Sequence, residues 1–172
     1  VLSETLNALH YAHELRDFQG HPFGLVHRDV SPQNVFVCYD GTVKLMDFGL
    51  AKGQADATMT TADHAIGTIR YASPEQLQSK KMNVDHRTDV YSLGATLYEL
   101  TSLQPIFPVE TDVELITKLI YEEPIPLRKL NGAIPPDLEI IITKAMMKRP
   151  EQRYSDAAEL AMDLGNFLEH RH

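Results

Sequence analysis

Asp29, Asn34 and Asp47 lie in "HRDVSPQNVFVCYDGTVKLMDFG", residues 27 to 49, and their spacing makes them candidates for chemistry. Two runs rich in β-branched and aromatic residues, Val35 to Tyr39 and Thr42 to Met46, flank Asp40-Gly41. That dipeptide is a strong signal for a tight two-residue hairpin turn. Strands of equal length running out and back return Asp47 to the neighbourhood of Asn34. A carboxylate and an amide oxygen are hard donors that suit Mg²⁺, which takes one or two protein carboxylates and fills its other positions with water and substrate phosphates. Asp29 precedes Asn34 on an irregular segment containing Pro32. From there it can stand beside such a metal without ligating it and accept a hydrogen bond from an attacking hydroxyl. Taken singly, each of these residues reads as an ordinary solvated loop end; their joint spacing is the signal.

The elements that must position them follow from the hydrophobic pattern. "VLSETLNALHYAHELR" begins inside a helical pattern, with Leu2, Leu6, Leu9 and His13 on one face. With no methionine at its start, the chain is expected to be a piece of a longer protein. "DFQGHPFG" reads as a loop. Residues 52 to 70, poor in large apolar side chains, predict a long mobile loop. "TDVYSLGATLYELTSL" is apolar nearly all round and predicts a buried central helix. Thr111 with Glu114 forms a capping-box pattern opening "DVELITKLIYEE". Prolines at 124, 126, 135 and 136 interrupt the chain, Pro136 suits the first turn of "PDLEIIITKAMMK", and a last helix covers "SDAAELAMDLGNFLEH". The expected architecture is mainly α with one small β-hairpin.

Composition narrows the class. A chain of 172 residues with 43% apolar side chains can bury one core, so a single domain is expected. Acidic residues number 24 against 16 basic, and the resulting charge of −8 disfavours broad attraction to nucleic acid or anionic lipid. A lone cysteine, Cys38, allows no internal disulfide and fits a reducing compartment. The longest nearly apolar run, "LEIIITKAMM", is cut by Glu139 and Lys144, so no membrane contact is expected from this segment.

H-R-D-x-x-x-x-N at 27 to 34, followed after the hairpin by D-F-G at 47 to 49, resembles the signature of eukaryotic-type protein kinases. "ASPE" at 72 to 75 resembles their A-P-E element, while "GTIRYASPE" and "RTDVYSLG" resemble the substrate-docking loop and central-helix start of the Ser/Thr branch. The likeness covers residues 1 to about 168, essentially the whole chain. It implies a protein-kinase-like C-terminal lobe, an α+β kinase fold lacking the N-lobe, over residues 1–172. Within it the resemblance places a catalytic loop at 27–34, a metal-binding D-F-G at 47–49, an activation segment at 47–75 and a helical subdomain at 76–169.

Roles follow by the same resemblance. Asp29 is implied as the catalytic aspartate, orienting the substrate hydroxyl and taking its proton late; Ser31 stands where the Ser/Thr branch usually has lysine and supplies a hydroxyl but no charge. Thr68 matches the threonine that contacts the catalytic aspartate. Asn34 and Asp47 are implied to hold Mg²⁺ on the β- and γ-phosphates of ATP, with Gln33 and Phe36 in the nucleotide site and Phe36 beneath adenine. Arg28 before the catalytic aspartate implies control by phosphorylation, with Thr60 or Thr61 as the site and Lys52 as a second cation. His27, Phe48, Gly49, Glu75, Asp89 and Arg153 are implied as structural. Phe48 would set the orientation of Asp47, Gly49 would permit unusual backbone angles, Glu75 would pair with Arg153, and Asp89 would accept backbone N–H groups from the catalytic loop.

The function implied is ATP-dependent phosphoryl transfer to Ser/Thr hydroxyls of proteins, as part of a longer cytoplasmic kinase. The expected partners are ATP, a protein substrate and a second copy for trans-autophosphorylation. The glycine-rich loop, the V-A-I-K lysine and its partner glutamate do not precede His27 here, so the segment alone is expected to be inactive. A pseudokinase or interaction module keeping the C-lobe fold is the alternative. His10, His13 and Glu14 form an H-x-x-H-E string, but its order is not that of a zinc hydrolase.

Overall fold

The computed structural model describes residues 2–48, 69–78 and 84–169. Helix α1 runs Leu2–His13, and strands β1, Val35–Val37, and β2, Val43–Leu45, form an antiparallel pair. Helices α2, Pro74–Leu77, α3, Arg87–Ser102, α4, Asp112–Tyr121, α5, Leu127–Leu130, α6, Pro136–Ala145, and α7, Ala157–Glu169, follow. The chain is thus mostly helical with one two-stranded sheet among the described residues.

Helix α3 is the hub because its pattern leaves it no solvent face: every residue from Thr88 to Tyr98 is buried. Two of its buried hydroxyls are satisfied inside the helix, Ser92 on the carbonyl of Thr88 and Thr96 on that of Ser92. Gly94 sets the approach of α6, since a Cβ there would meet Ala145 Cβ and Met146 Cγ at 2.9 Å. α5, α6 and α7 pack around α3, and α1 lies against α7 and β2. The core joins Leu6 and Leu9 of α1, Val90 and Leu93 of α3, Leu115 and Leu119 of α4, Ile142 of α6 and Leu160 of α7.

Local chemistry sets the boundaries. Thr111 Oγ1 accepts the Glu114 N–H and opens α4, while Pro136 occupies the first turn of α6. α7 starts later than the pattern suggests, because the cap is Asp156, whose Oδ1 accepts the Glu159 N–H at 2.9 Å. α3 closes on Leu103, a non-glycine residue at φ +56 whose N–H reaches the Glu99 carbonyl.

The hairpin departs from the sequence expectation. Each strand has three residues rather than five, and the loop is Tyr39–Gly41 rather than the two residues Asp40-Gly41. Cys38 N–H reaches Thr42 O at 2.8 Å, Gly41 N–H closes a turn on Cys38 O, and only Gly41 takes positive φ, at +86. This is a type I turn followed by a left-handed glycine. Asp40 adopts no left-handed angle; its carboxylate instead accepts the Thr42 N–H, and hydrogen bonding from Thr42, its backbone first and its side chain second, holds the carboxyl below the usual range. The register, Val35 opposite Leu45, still carries the return strand back to Asn34, whose carbonyl accepts the Met46 N–H at 2.9 Å.

Among the described residues no helix is long and apolar enough to cross a membrane.

Candidate active site

The 27–34 segment hangs on one buried carboxylate. Asp89, in the first turn of α3, accepts the Arg28 N–H on Oδ1 and the His27 N–H on Oδ2, each at 2.8 Å, and His13 Nε2 at 2.7 Å. Three donors compensate a charge that would otherwise be expensive to bury. His27 works as a strut: its Nδ1 accepts the Asp29 N–H at 3.2 Å, so its other nitrogen, Nε2, donates to Met46 O at 2.9 Å. The ring also packs on Phe48, with centroids 4.5 Å apart.

These contacts draw the candidates to one place. Asn34 Nδ2 donates to the Asp29 carbonyl at 2.8 Å and to its carboxylate at 3.3 Å. Asp47 follows Met46, which is tied to Asn34 through its N–H and to His27 through its carbonyl. Arg28 and Asp47 are both left-handed, at φ +64 and +57. For non-glycine residues such angles are costly and hold only where surroundings impose them, and here the bonds from Asp89 and Met46 do so.

Other candidates stand apart from this cluster. Ser31 is buried just before a 3₁₀ turn at Pro32–Asn34, and its carbonyl accepts the Asn34 N–H. Gln33 is exposed, and Phe36 is half exposed on β1. Gly49, Lys52, Thr60, Thr61 and Thr68 lie outside the described residues.

Farther out, Glu75 and Arg153 form a fully buried bidentate pair, with both N–O distances 2.7 Å. The carbonyls of Met147, Arg87 and Lys148 take the remaining guanidinium donors. Tyr71 OH donates to Glu99 Oε2 at 2.6 Å, and burial together with this bond pushes its phenol well up. The 69–75 stretch is thereby fastened to α3 and to the chain after α6.

A family model described as the protein kinase domain matches residues 1–165. The chain belongs to the protein kinase family. Over 98% of its length it is 41% identical to the tyrosine-protein kinase MasK of Myxococcus xanthus, covering 26% of that protein. It is 39% identical over 95% of its length to the serine/threonine-protein kinase PknB of Mycobacterium leprae, covering 25% of it. A probable serine/threonine-protein kinase of Clostridium acetobutylicum is 37% identical over 95% of the chain, which covers 23% of it. The chain spans about a quarter of the length of these curated relatives.

Protein kinases generally use ATP and Mg²⁺, and the donor set of this kinase domain fits such an ion. With Asn34 Nδ2 turned to Asp29, its Oδ1 is left as an acceptor. Among the described residues neither that oxygen nor the exposed Asp47 carboxylate takes a hydrogen bond. One amide oxygen and one carboxylate, open to solvent, match a hard cation that keeps waters and phosphates. The H-x-x-H-E string has a different use: the His13 side chain is 3% exposed and spent on Asp89. No group of three or more His, Cys, Asp or Glu that could hold a metal occurs among the described residues.

Two functional residues were missed from sequence. His13 reads there as part of an apolar stripe and of the H-x-x-H-E string, not as a partner of Asp89. Gln76 follows Ser73 at capping-box spacing, a signal for its helix but not for its bond to Arg28 O at 2.8 Å.

Proposed function

We propose that residues 1–172 are the C-terminal lobe of a longer protein kinase that transfers phosphate from ATP to Ser/Thr hydroxyls. The observation that carries this reading is the Asn34 side chain bonded to Asp29 while its backbone carbonyl receives the strand that leads to Asp47. In this reading Asn34 and Asp47 would hold Mg²⁺, which would supply positive charge against the phosphates of ATP. Asp29 orients the substrate hydroxyl: the oxygen forms the new bond to the γ-phosphorus, the bond to the β-phosphate oxygen breaks, and the hydroxyl proton passes late to the Asp29 carboxylate. The reaction relies on positioning and charge stabilisation rather than strong base catalysis.

Relatives named serine/threonine-protein kinases and the "GTIRYASPE" stretch support Ser/Thr as acceptor, although one relative carries a tyrosine-kinase name. The roughly quarter-length coverage of relatives supports further chain in the intact protein, and with it a second lobe and little transfer by this segment alone. The test uses the full-length protein with Mg²⁺-ATP and a mixed protein substrate, followed by phosphoamino-acid analysis. Phosphoserine and phosphothreonine are expected, with activity lowered at least about a hundredfold in Asp47→Asn and in Asn34→Ala. Transfer undiminished in Asp47→Asn would defeat the reading, and phosphotyrosine alone would reassign the acceptor.

A further inference from the structure

The geometry points to Gln76 as a positioning residue for this transfer, acting on Asp29 through the Arg28–Asp29 peptide; the inference rests on the reading of Asp29 given above. The Gln76 amide is divided between two tasks. Its Oε1 accepts the Ser73 N–H at 3.0 Å, the Ser73 hydroxyl at 3.1 Å and the Thr88 hydroxyl at 2.9 Å. Its Nε2 donates to Arg28 O at 2.8 Å, across 48 residues of sequence. The amide orientation is not arbitrary. A backbone N–H can only donate, so the oxygen must face Ser73, and the NH₂ is left for the carbonyl.

Arg28 O belongs to the peptide whose other edge is the Asp29 N–H, and that N–H donates to His27 Nδ1. The plane is therefore held at both edges, by Gln76 on one side and His27 on the other. Asp89 secures the two preceding amides, those of His27 and Arg28, but does not touch this plane. Among the described residues Gln76 is thus a side chain outside the 27–34 segment that bears on the last rotation before Asp29, at a residue held at φ +64. Misplacing a reacting group by about 1 Å costs about a hundredfold in rate. Since α2 follows directly on residues 69–73, Gln76 also passes the seating of that stretch to Asp29.

Gln76→Glu separates this role from capping. A glutamate keeps an acceptor for Ser73 and Thr88, as in a capping box, but offers Arg28 O a second acceptor in place of a donor. In the full-length protein we expect kcat to fall about tenfold or more, with KM for ATP and for substrate within about twofold. Amide hydrogen exchange across residues 27–34 should quicken while Tm holds. Unchanged exchange, or kcat within about twofold of an active wild type, would overturn the inference. If the wild type transfers no phosphate, the functional reading fails, and the exchange measurement still decides the role of Gln76. In an Asp29→Ala background Gln76→Glu should lower the residual rate no further; an added loss would show that it acts elsewhere. Should the glutamate variant not fold, Gln76→Met takes its place, and loss of folding in both would make Gln76 structural and overturn the assignment.

Discussion

At the scale of single residues, the buried polar groups divide into those fully spent and those left over. Asp89 satisfies three donors, and removing it would strand two backbone N–H groups, at about 1–3 kcal/mol each. Tyr91 is the opposite case. It is completely buried, and among the described residues its hydroxyl has no partner, while burial pushes its phenol upward. The ring has a use, because the Arg153 guanidinium lies 5.0 Å from its centroid. Tyr91→Phe keeps the ring and removes the stranded hydroxyl, so Tm should stay level or rise. A loss of more than about 1 kcal/mol in urea unfolding would reveal a partner for that oxygen. This distinction was not legible in the sequence, where Tyr91 is one more apolar residue in "TDVYSLG"; only packing shows which polar tips are met.

At the scale of elements, termini depend on side chains that propensity alone does not select. Glu159 lies in the first turn of α7, where one carboxylate oxygen accepts the Ser155 N–H at 2.7 Å and the Ser155 hydroxyl at 2.9 Å, and the other takes Lys144 Nζ at 3.1 Å. The Ser155 amide holds its carboxyl below the ordinary glutamate range; burial pulls the opposite way and loses. A carboxyl with a lowered folded pKa contributes stability above its unfolded value and loses it as pH falls through the folded value. Wild-type Tm should therefore drop more between pH 7 and pH 3 than that of Glu159→Gln. Equal drops in the two proteins would show that the carboxylate contributes nothing to docking α7. The hairpin teaches the same lesson. Asp40-Gly41 announced a turn, but the choice of three loop residues was made by the bond from Thr42 N–H to the Asp40 carboxylate and by Gly41 alone accepting positive φ.

At the scale of the whole molecule, distant segments are joined by a few buried polar links. Arg153 spends all five N–H donors, on Glu75 and on the carbonyls of Met147, Arg87 and Lys148, so it binds α2, the start of α3 and the chain after α6 into one unit. Arg153→Met should cost about 3–5 kcal/mol, because it leaves the Glu75 carboxylate buried and unpaired. Urea unfolding checks this, and a cost under about 1 kcal/mol would mean that the site opens to water. The sequence by itself determined the helical stretches, the cap at Thr111, the hairpin and the kinase likeness, because periodicity, turn residues and short motifs act over a few neighbours. The kinase likeness already implied that Asp89 accepts backbone N–H groups from the catalytic loop; only the tertiary structure decided that His13 joins Asp89 there, and that Gln76 grips Arg28. Those bonds span 48 to 76 residues, and a hydrogen bond between partners so far apart leaves no pattern in the order of the chain.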